Sequence, residues 1–288
     1  MQEQVELLNT RSPQILDLCS HLSDRFECAS GSIIGRNHVL ASKNNQDAYR
    51  VVIQERFIAA IVCDGCGSGK HSEVGAKLGA RMVTTAIADL LNQDSEISKP
   101  EFWDSVKRNL LQKLKDFVEI ANGDLEFATK FTTKFVTEFV NDYLLFTIVG
   151  ALITPHETVT FSIGDGAIAI NGGLNQIPVY PDNAPPYLAY GLYCPDAVSF
   201  EIRDRLPTLE VKSILIATDG IDDLVKVEKV NQFWQEDRYF KNPDAIRRKL
   251  AMLNREEVKP DWNKHELVKR SGVLSDDTTL IVVRRISQ

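Results

Sequence analysis

Apolar positions recur along the chain in two periods, one helical and one strand-like. Over residues 1–28, Val5, Leu8, Ile15, Leu18 and Leu22 keep helical spacing among polar neighbours, which predicts a helical appendage ahead of the main body. Strand signals follow at 32–40 and 48–54, and 57–63 is a continuous apolar run, the mark of a strand buried on both faces. The stretch Asp64-Gly65-Cys66-Gly67-Ser68-Gly69 is a glycine-rich turn. Beyond it Val74, Leu78, Met82, Ala86 and Leu90 recur every four residues, flanked by Val83 and Ile87, and predict an amphipathic helix. Trp103, Val106, Leu110, Leu114 and Phe117 predict a second helix from about Pro100. Strand patterns return at 143–153, 158–163, 167–171, 176–180 and 213–218. Helical composition covers about 222–269, and a last β run closes the chain at 278–284. Strands do not alternate one for one with helices, so a doubly wound parallel sheet is disfavoured and a strand-rich α+β sandwich fits. The first and last strands share one core, which predicts a single domain over 29–288.

Composition narrows the function classes. The 288 residues carry 33 Lys and Arg against 40 Asp and Glu, a formal charge of −7. That is not the basic footprint of a nucleic-acid binder or of a polybasic membrane-surface protein. The longest apolar run, 143–153, falls short of the roughly 20 residues a membrane span needs. The N-terminus has no apolar signal core, and the five cysteines form no disulfide framework. The expectation is a cytoplasmic protein with no nucleic-acid or membrane partner.

Four aspartates share one context, each at a strand end beside a turn. Asp47 opens the 48–54 strand, Asp64 ends the 57–63 run, Asp219 follows 213–218 and Asp276 precedes 278–284. Carboxylates leaving strand ends on one edge can converge, and like charges a few ångströms apart need a counter-charge. A hard divalent cation with oxygen ligands supplies it, and no His/Cys set has zinc spacing. Taken singly, each Asp also reads as a turn or helix cap. Asp165, between Gly164 and Gly166, reads as a hairpin turn. The 65–70 glycines match neither nucleotide fingerprint, and Cys63 with Cys66 has no second pair for a zinc ribbon. The basic clusters Arg247-Arg248-Lys249 and Lys269-Arg270 read as solvated helix faces.

Five strings in order carry a resemblance: Asn44-Asn45-Gln46-Asp47-Ala48, Val62-Cys63-Asp64-Gly65-Cys66-Gly67, Gly164-Asp165-Gly166, Ala217-Thr218-Asp219-Gly220 and Ser275-Asp276-Asp277-Thr278-Thr279. Together, over about residues 30–285, the chain resembles the metal-dependent protein phosphatase (PPM, type 2C) family, in its divergent bacterial-type branch. The resemblance implies a four-layer αββα sandwich with two central antiparallel sheets flanked by helices. It implies two Mg²⁺ or Mn²⁺ ions held by Asp64, the Gly65 carbonyl, Asp219 and Asp276, with Asp47 holding their waters or binding directly. It implies hydrolysis of phosphoserine or phosphothreonine in a protein by a water bridging the two metals, Asp64 and Asp47 being the catalytic pair. The phosphoprotein implies a cognate Ser/Thr kinase. The chain departs from the pattern at Gln46, where the family often has Glu, and at Cys66, where many members have His. It has Ser42 and Lys43 where a phosphate-binding Arg often lies. His38, Lys43 and Arg36 are candidate phosphate contacts. Gln46 and Cys66 keep open a catalytically weak partner-binding relative, and a metal-dependent phosphatase of a small phosphomonoester is a second alternative.

Overall fold

The computed structural model describes residues 21–122, 129–178, 180–181 and 184–286. Most of the expected 1–28 appendage lies outside them. Its last residues, Phe26 to Cys28, open a strand.

Ten strands make two five-stranded antiparallel sheets. One sheet has the order β1-β12-β9-β6-β7, from Phe26–Ile33, Thr278–Arg285, Ser213–Ala217, Gly166–Ile170 and Gly173–Ile177. The other has the order β2-β3-β4-β5-β8, from Asp47–Ile53, Ile58–Asp64, Ile148–Ile153, Glu157–Ile163 and Glu201–Pro207. Two further strands, β10 (Glu257–Asp261) and β11 (Glu266–Arg270), form a separate hairpin.

The continuous apolar runs are explained by layering. Along β3, Ile58, Ala60 and Val62 face the core between the sheets, while Ala59, Ile61 and Cys63 face an outer core. Along β12, Ile281 and Val283 join the central core, while Leu280 and Val282 join the opposite outer core. A strand between two apolar layers loses its polar alternation. Helices α1 (Ser72–Asn92) and α2 (Pro100–Asn122) cover the second sheet, and α4 (Ile221–Val227) and α5 (Ala245–Leu253) cover the first. Helix α3 (Thr129–Phe139) runs on into a π-helical turn at Val140–Leu144. The result is the expected αββα sandwich of two antiparallel sheets. Among the described residues, no helix is long and apolar enough to cross a membrane.

Several expected elements differ. The 32–40 stretch is not a strand: β1 ends at Ile33 and Arg36–Leu40 is a helical turn, because the chain must turn there to reach the other sheet. In 143–153 only Ile148–Ile153 is strand; Tyr143 and Leu144 end the π-turn, and their apolar side chains are needed there for packing. The 176–180 strand lies earlier, at β7. Strand β8, mostly polar and at a sheet edge, escaped the apolar pattern. The 222–269 region is helical only to Leu253, then forms the β10–β11 hairpin. Lys269 and Arg270 therefore lie on a strand, not a helix face. In α1 the buried apolar side chains are Ala76, Ala80, Val83, Ala86 and Ile87; Val74, Leu78, Met82 and Leu90 flank them half-buried. Small residues let this helix lie close to the sheet.

Candidate active site

All the carboxylates of interest lie at one end of the sandwich. Antiparallel pairing sets Asp47, at the start of β2, opposite Asp64, at the end of β3. In the other sheet Leu280 of β12 pairs with Ala217 of β9, which brings the Asp276 and Asp219 ends together. Gly164-Asp165-Gly166 is not a hairpin. It crosses from β5 in one sheet to β6 in the other, with φ of +91° at Gly164 and +133° at Gly166. Only glycine takes such angles readily. Asp165 is thereby carried to the same end, where it is 4% exposed.

A cleft of about 440 Å³ opens there. It is lined by Asp64, Gly65, Asp219, Asp276 and Asp165, by His38, and by the loop Cys66-Gly67-Ser68. Pro185, Tyr187 and Tyr190 form the facing wall. Asp47 lies behind the lining, 4% exposed, and accepts a 2.7 Å hydrogen bond from the Thr218 hydroxyl. A larger hollow of about 640 Å³ lies by Trp234, Phe240 and Arg284. Its Arg284 is already paired with Glu27 and Asp237, and it gathers no comparable set of carboxylates.

The cluster is electrostatically uncompensated. Burial, then the Asp277 carboxylate, pushes Asp47 up to about 8 against the Thr218 and Thr279 hydroxyls. Burial, with Asp276 and Asp165 beside it, pushes Asp219 up to about 7. Burial and the Asp47, Asp219 and Asp276 charges push Asp64 well above the carboxylate range. Burial also raises Asp165, helped by Asp222. Asp47 Oδ1 and Gln46 Oε1 are buried with no donor among the described residues. Oxygen donors, stranded lone pairs and crowded negative charge are what hard divalent cations bind. The residues fit such ions. The tightest potential ligand set among the described residues is His38, Asp276 and Asp277, within 4.8 Å of one another. Asp64, Asp219 and Asp276 line the cleft, and Asp47 lies directly behind Asp64 across the β2–β3 pair.

Asp277, the neighbour of Asp276, organises the backbone. Its carboxylate accepts the Gly35 N–H at 2.6 Å and the Gln46 N–H at 2.5 Å, and so ties three loops together. His38 Nδ1 stands 2.8 Å from Asp277 Oδ2, off the hydrogen-bond direction, and 3.9 Å from Asp276 Oδ1. Of the candidate phosphate contacts, His38 lines the cleft. Lys43 stays at the rim, its ammonium donating to the Gly67 carbonyl at 2.5 Å. Arg36 does not reach the cleft and bonds Gly272 O at 3.4 Å. The Gln46 amide donates to Gly69 O at 3.2 Å. At Cys66 burial pushes the thiol up, but hydrogen bonds with Ser68 and Tyr187 outweigh it and leave it below its ordinary value. Asp165, Asp277, Tyr187 and Tyr190 are the site residues that sequence reasoning missed. The turn signal of Gly-Asp-Gly hid the first, and the neighbouring Asp276 hid the second.

A family model described as Protein phosphatase 2C matches residues 34–254, well over half of the chain. The chain belongs to the protein phosphatase 2C family. The match contains Asp47, Asp64 and Asp219 of this phosphatase-family chain and stops short of Asp276. Among solved structures, a bacterial serine phosphatase is similar at a TM-score of 0.53 and 17% identity, over 91% of this chain and 99% of its own. A point mutant described under the same name has a TM-score of 0.54 at 16% identity, over 91% and 99%. PppA, described as a key regulatory component of the T6SS in Pseudomonas aeruginosa, has a TM-score of 0.53 at 15% identity, over 91% and 98%. At such identities the likeness is one of fold. No curated protein matches the chain.

Proposed function

We propose that the chain is a Mg²⁺- or Mn²⁺-dependent phosphatase of phosphoserine or phosphothreonine in proteins, acting on the product of a Ser/Thr kinase. One observation carries this reading: the convergence of Asp47, Asp64, Asp219 and Asp276, with burial and mutual repulsion raising the first three. Asp64, the Gly65 carbonyl, Asp219 and Asp276 are the residues to hold two ions, with Asp47 behind them. When bound, the ions supply charge that activates water at neutral pH and neutralises the phosphoryl group.

The chain's own groups do the rest. Thr218 fixes the Asp47 carboxylate, and Asp277 fixes the loops that carry Gln46 and Gly35. Phosphoryl transfer depends mainly on positioning and electrostatics, so this rigidity serves the reaction. His38 faces the cleft, where it can meet a phosphate oxygen or the leaving alkoxide. Among the described residues no Lys or Arg lines the cleft, and Lys43, bonded to the lining residue Gly67, is a candidate for the outer phosphate oxygens. The wall of Pro185, Tyr187 and Tyr190 offers an apolar surface to the peptide beside the phosphorylated residue. Phosphate release from a phosphothreonine peptide by chelator-stripped protein, with and without Mn²⁺, tests the reading. Release that appears only with the ion supports it; no release with any divalent ion contradicts it.

A further inference from the structure

The β10–β11 hairpin stands apart from both sheets, and every residue of its strands except Asp261 is exposed. It is rooted beside the cleft: Val273 donates to Leu253 O at 3.1 Å, three residues before Asp276. A lone two-stranded ribbon is marginal in water, yet this one turns its apolar side chains outward. Val258 is 54% exposed, Leu267 73% and Trp262, at the turn, 78%. Pro260 pairs with Leu267 and Val258 with Lys269, so these four share one face, and it is largely apolar.

The ribbon's two open edges are not equivalent. Pro260 has no N–H, so its pair with Leu267 is of the non-hydrogen-bonded kind, and the two kinds alternate along an antiparallel ladder. Leu267 and Lys269 therefore turn their backbone N–H and C=O groups to the open edge of β11. On β10 the matching outward positions are Val258 and Pro260, and the proline blocks that edge. Strand β11 carries no proline, and its outward-bonding positions are Leu267 and Lys269.

Charge makes the same distinction. An antiparallel copy of β11, related by a two-fold axis at Val268, sets Glu266 against Arg270 of the second copy, twice. It also sets Leu267 opposite Lys269 of the second copy, in register to exchange main-chain bonds. The same operation on β10 about Lys259 sets Glu257 against Asp261, which repel. The β11 edge is self-complementary in bonding and in charge, as a symmetric interface requires. We propose that the chain forms a symmetric dimer by joining β11 to β11 of a second copy, making a four-stranded sheet in which Val258, Pro260 and Leu267 of each copy share one face with Lys269.

Sedimentation velocity of the full chain over a concentration series tests this, with the mass expected to rise from 32.3 kDa towards twice that value. Glu266→Arg and Arg270→Glu each set like charges across the axis, and each is expected to abolish association. Their equimolar mixture is expected to restore it, since every charge then meets its opposite. A covalent readout guards against a variant that merely unravels the ribbon. In the proposed register the two Val268 Cα atoms lie about 4.5 Å apart, within disulfide reach. Val268→Cys is therefore expected to link two copies under oxidised glutathione, and Lys259→Cys on the blocked strand is not. A chain that is monomeric throughout, an association untouched by both charge variants, or Val268→Cys linking no faster than Lys259→Cys overturns the proposal.

Discussion

At the scale of single residues, two neighbouring aspartates do different work. Asp276 faces the cleft, whereas Asp277 is buried and spends its carboxylate on two backbone N–H groups. Removing Asp277 strands both donors, each at a cost of about 1–3 kcal/mol. Asp277→Ala is expected to lower unfolding stability by about 2–6 kcal/mol and to raise the Mn²⁺ concentration needed for activity. Chemical denaturation and a Mn²⁺ titration check this; unchanged stability would show that the two loops are held by other means. Gln46 offers the converse test. Gln46→Glu removes the donor to Gly69 O and adds a carboxylate to a crowded ring. The expected outcome is several-fold tighter Mn²⁺ binding in calorimetry with a lower metal-free Tm. Unchanged Mn²⁺ affinity would mean that Gln46 does not face an ion.

At the scale of elements, the strand ends that carry Asp47, Asp64, Asp219 and Asp276 were legible because buried apolar runs announce strands and each Asp sits at a boundary. Asp165 was not legible. A Gly-Asp-Gly between two apolar runs fits a hairpin as well as a crossing between sheets, and only long-range pairing of β5 and β6 with different partners decides. The region 222–269 misled for another reason: its charged, mixed composition suits short helices and an exposed ribbon alike. The stripe of α1 was found, but its centre was displaced, since alanines and glycines carry little apolar signal yet allow the closest approach. At Gly75 an added Cβ would stand 2.3 Å from the Tyr143 carbonyl oxygen. The same turn receives the His71 N–H at Asp142 O and, just beyond it, the Cys66 N–H at Leu145 O, each at 2.9 Å. Gly75→Ala is therefore expected to cost about 1–3 kcal/mol and to loosen the 65–71 loop. Faster amide exchange at Cys66 and His71 would report the loosening, and unchanged exchange there would uncouple α1 from the loop.

At the scale of the whole molecule, the sandwich holds together an end that repels itself. With Asp47 raised to about 8 from an ordinary 3.8, the folded chain keeps a proton that the unfolded chain has released between those values. Stability of the metal-free protein therefore falls as pH rises through that window. The expected outcome is a metal-free Tm higher in mildly acidic than in alkaline buffer, with the gain on adding Mn²⁺ growing as pH rises. A metal-free Tm that climbs with pH through this range would contradict the buried, uncompensated cluster.

Mn²⁺ binding measured together with phosphate release from a phosphothreonine peptide, for the native chain and for Asp64→Asn, tests whether the carboxylate end is a two-metal phosphatase site. Two bound ions and metal-dependent release are expected in the native chain, and the loss of release with at least one ion in the variant. Near-normal release by Asp64→Asn, with the same dependence on Mn²⁺, would contradict it.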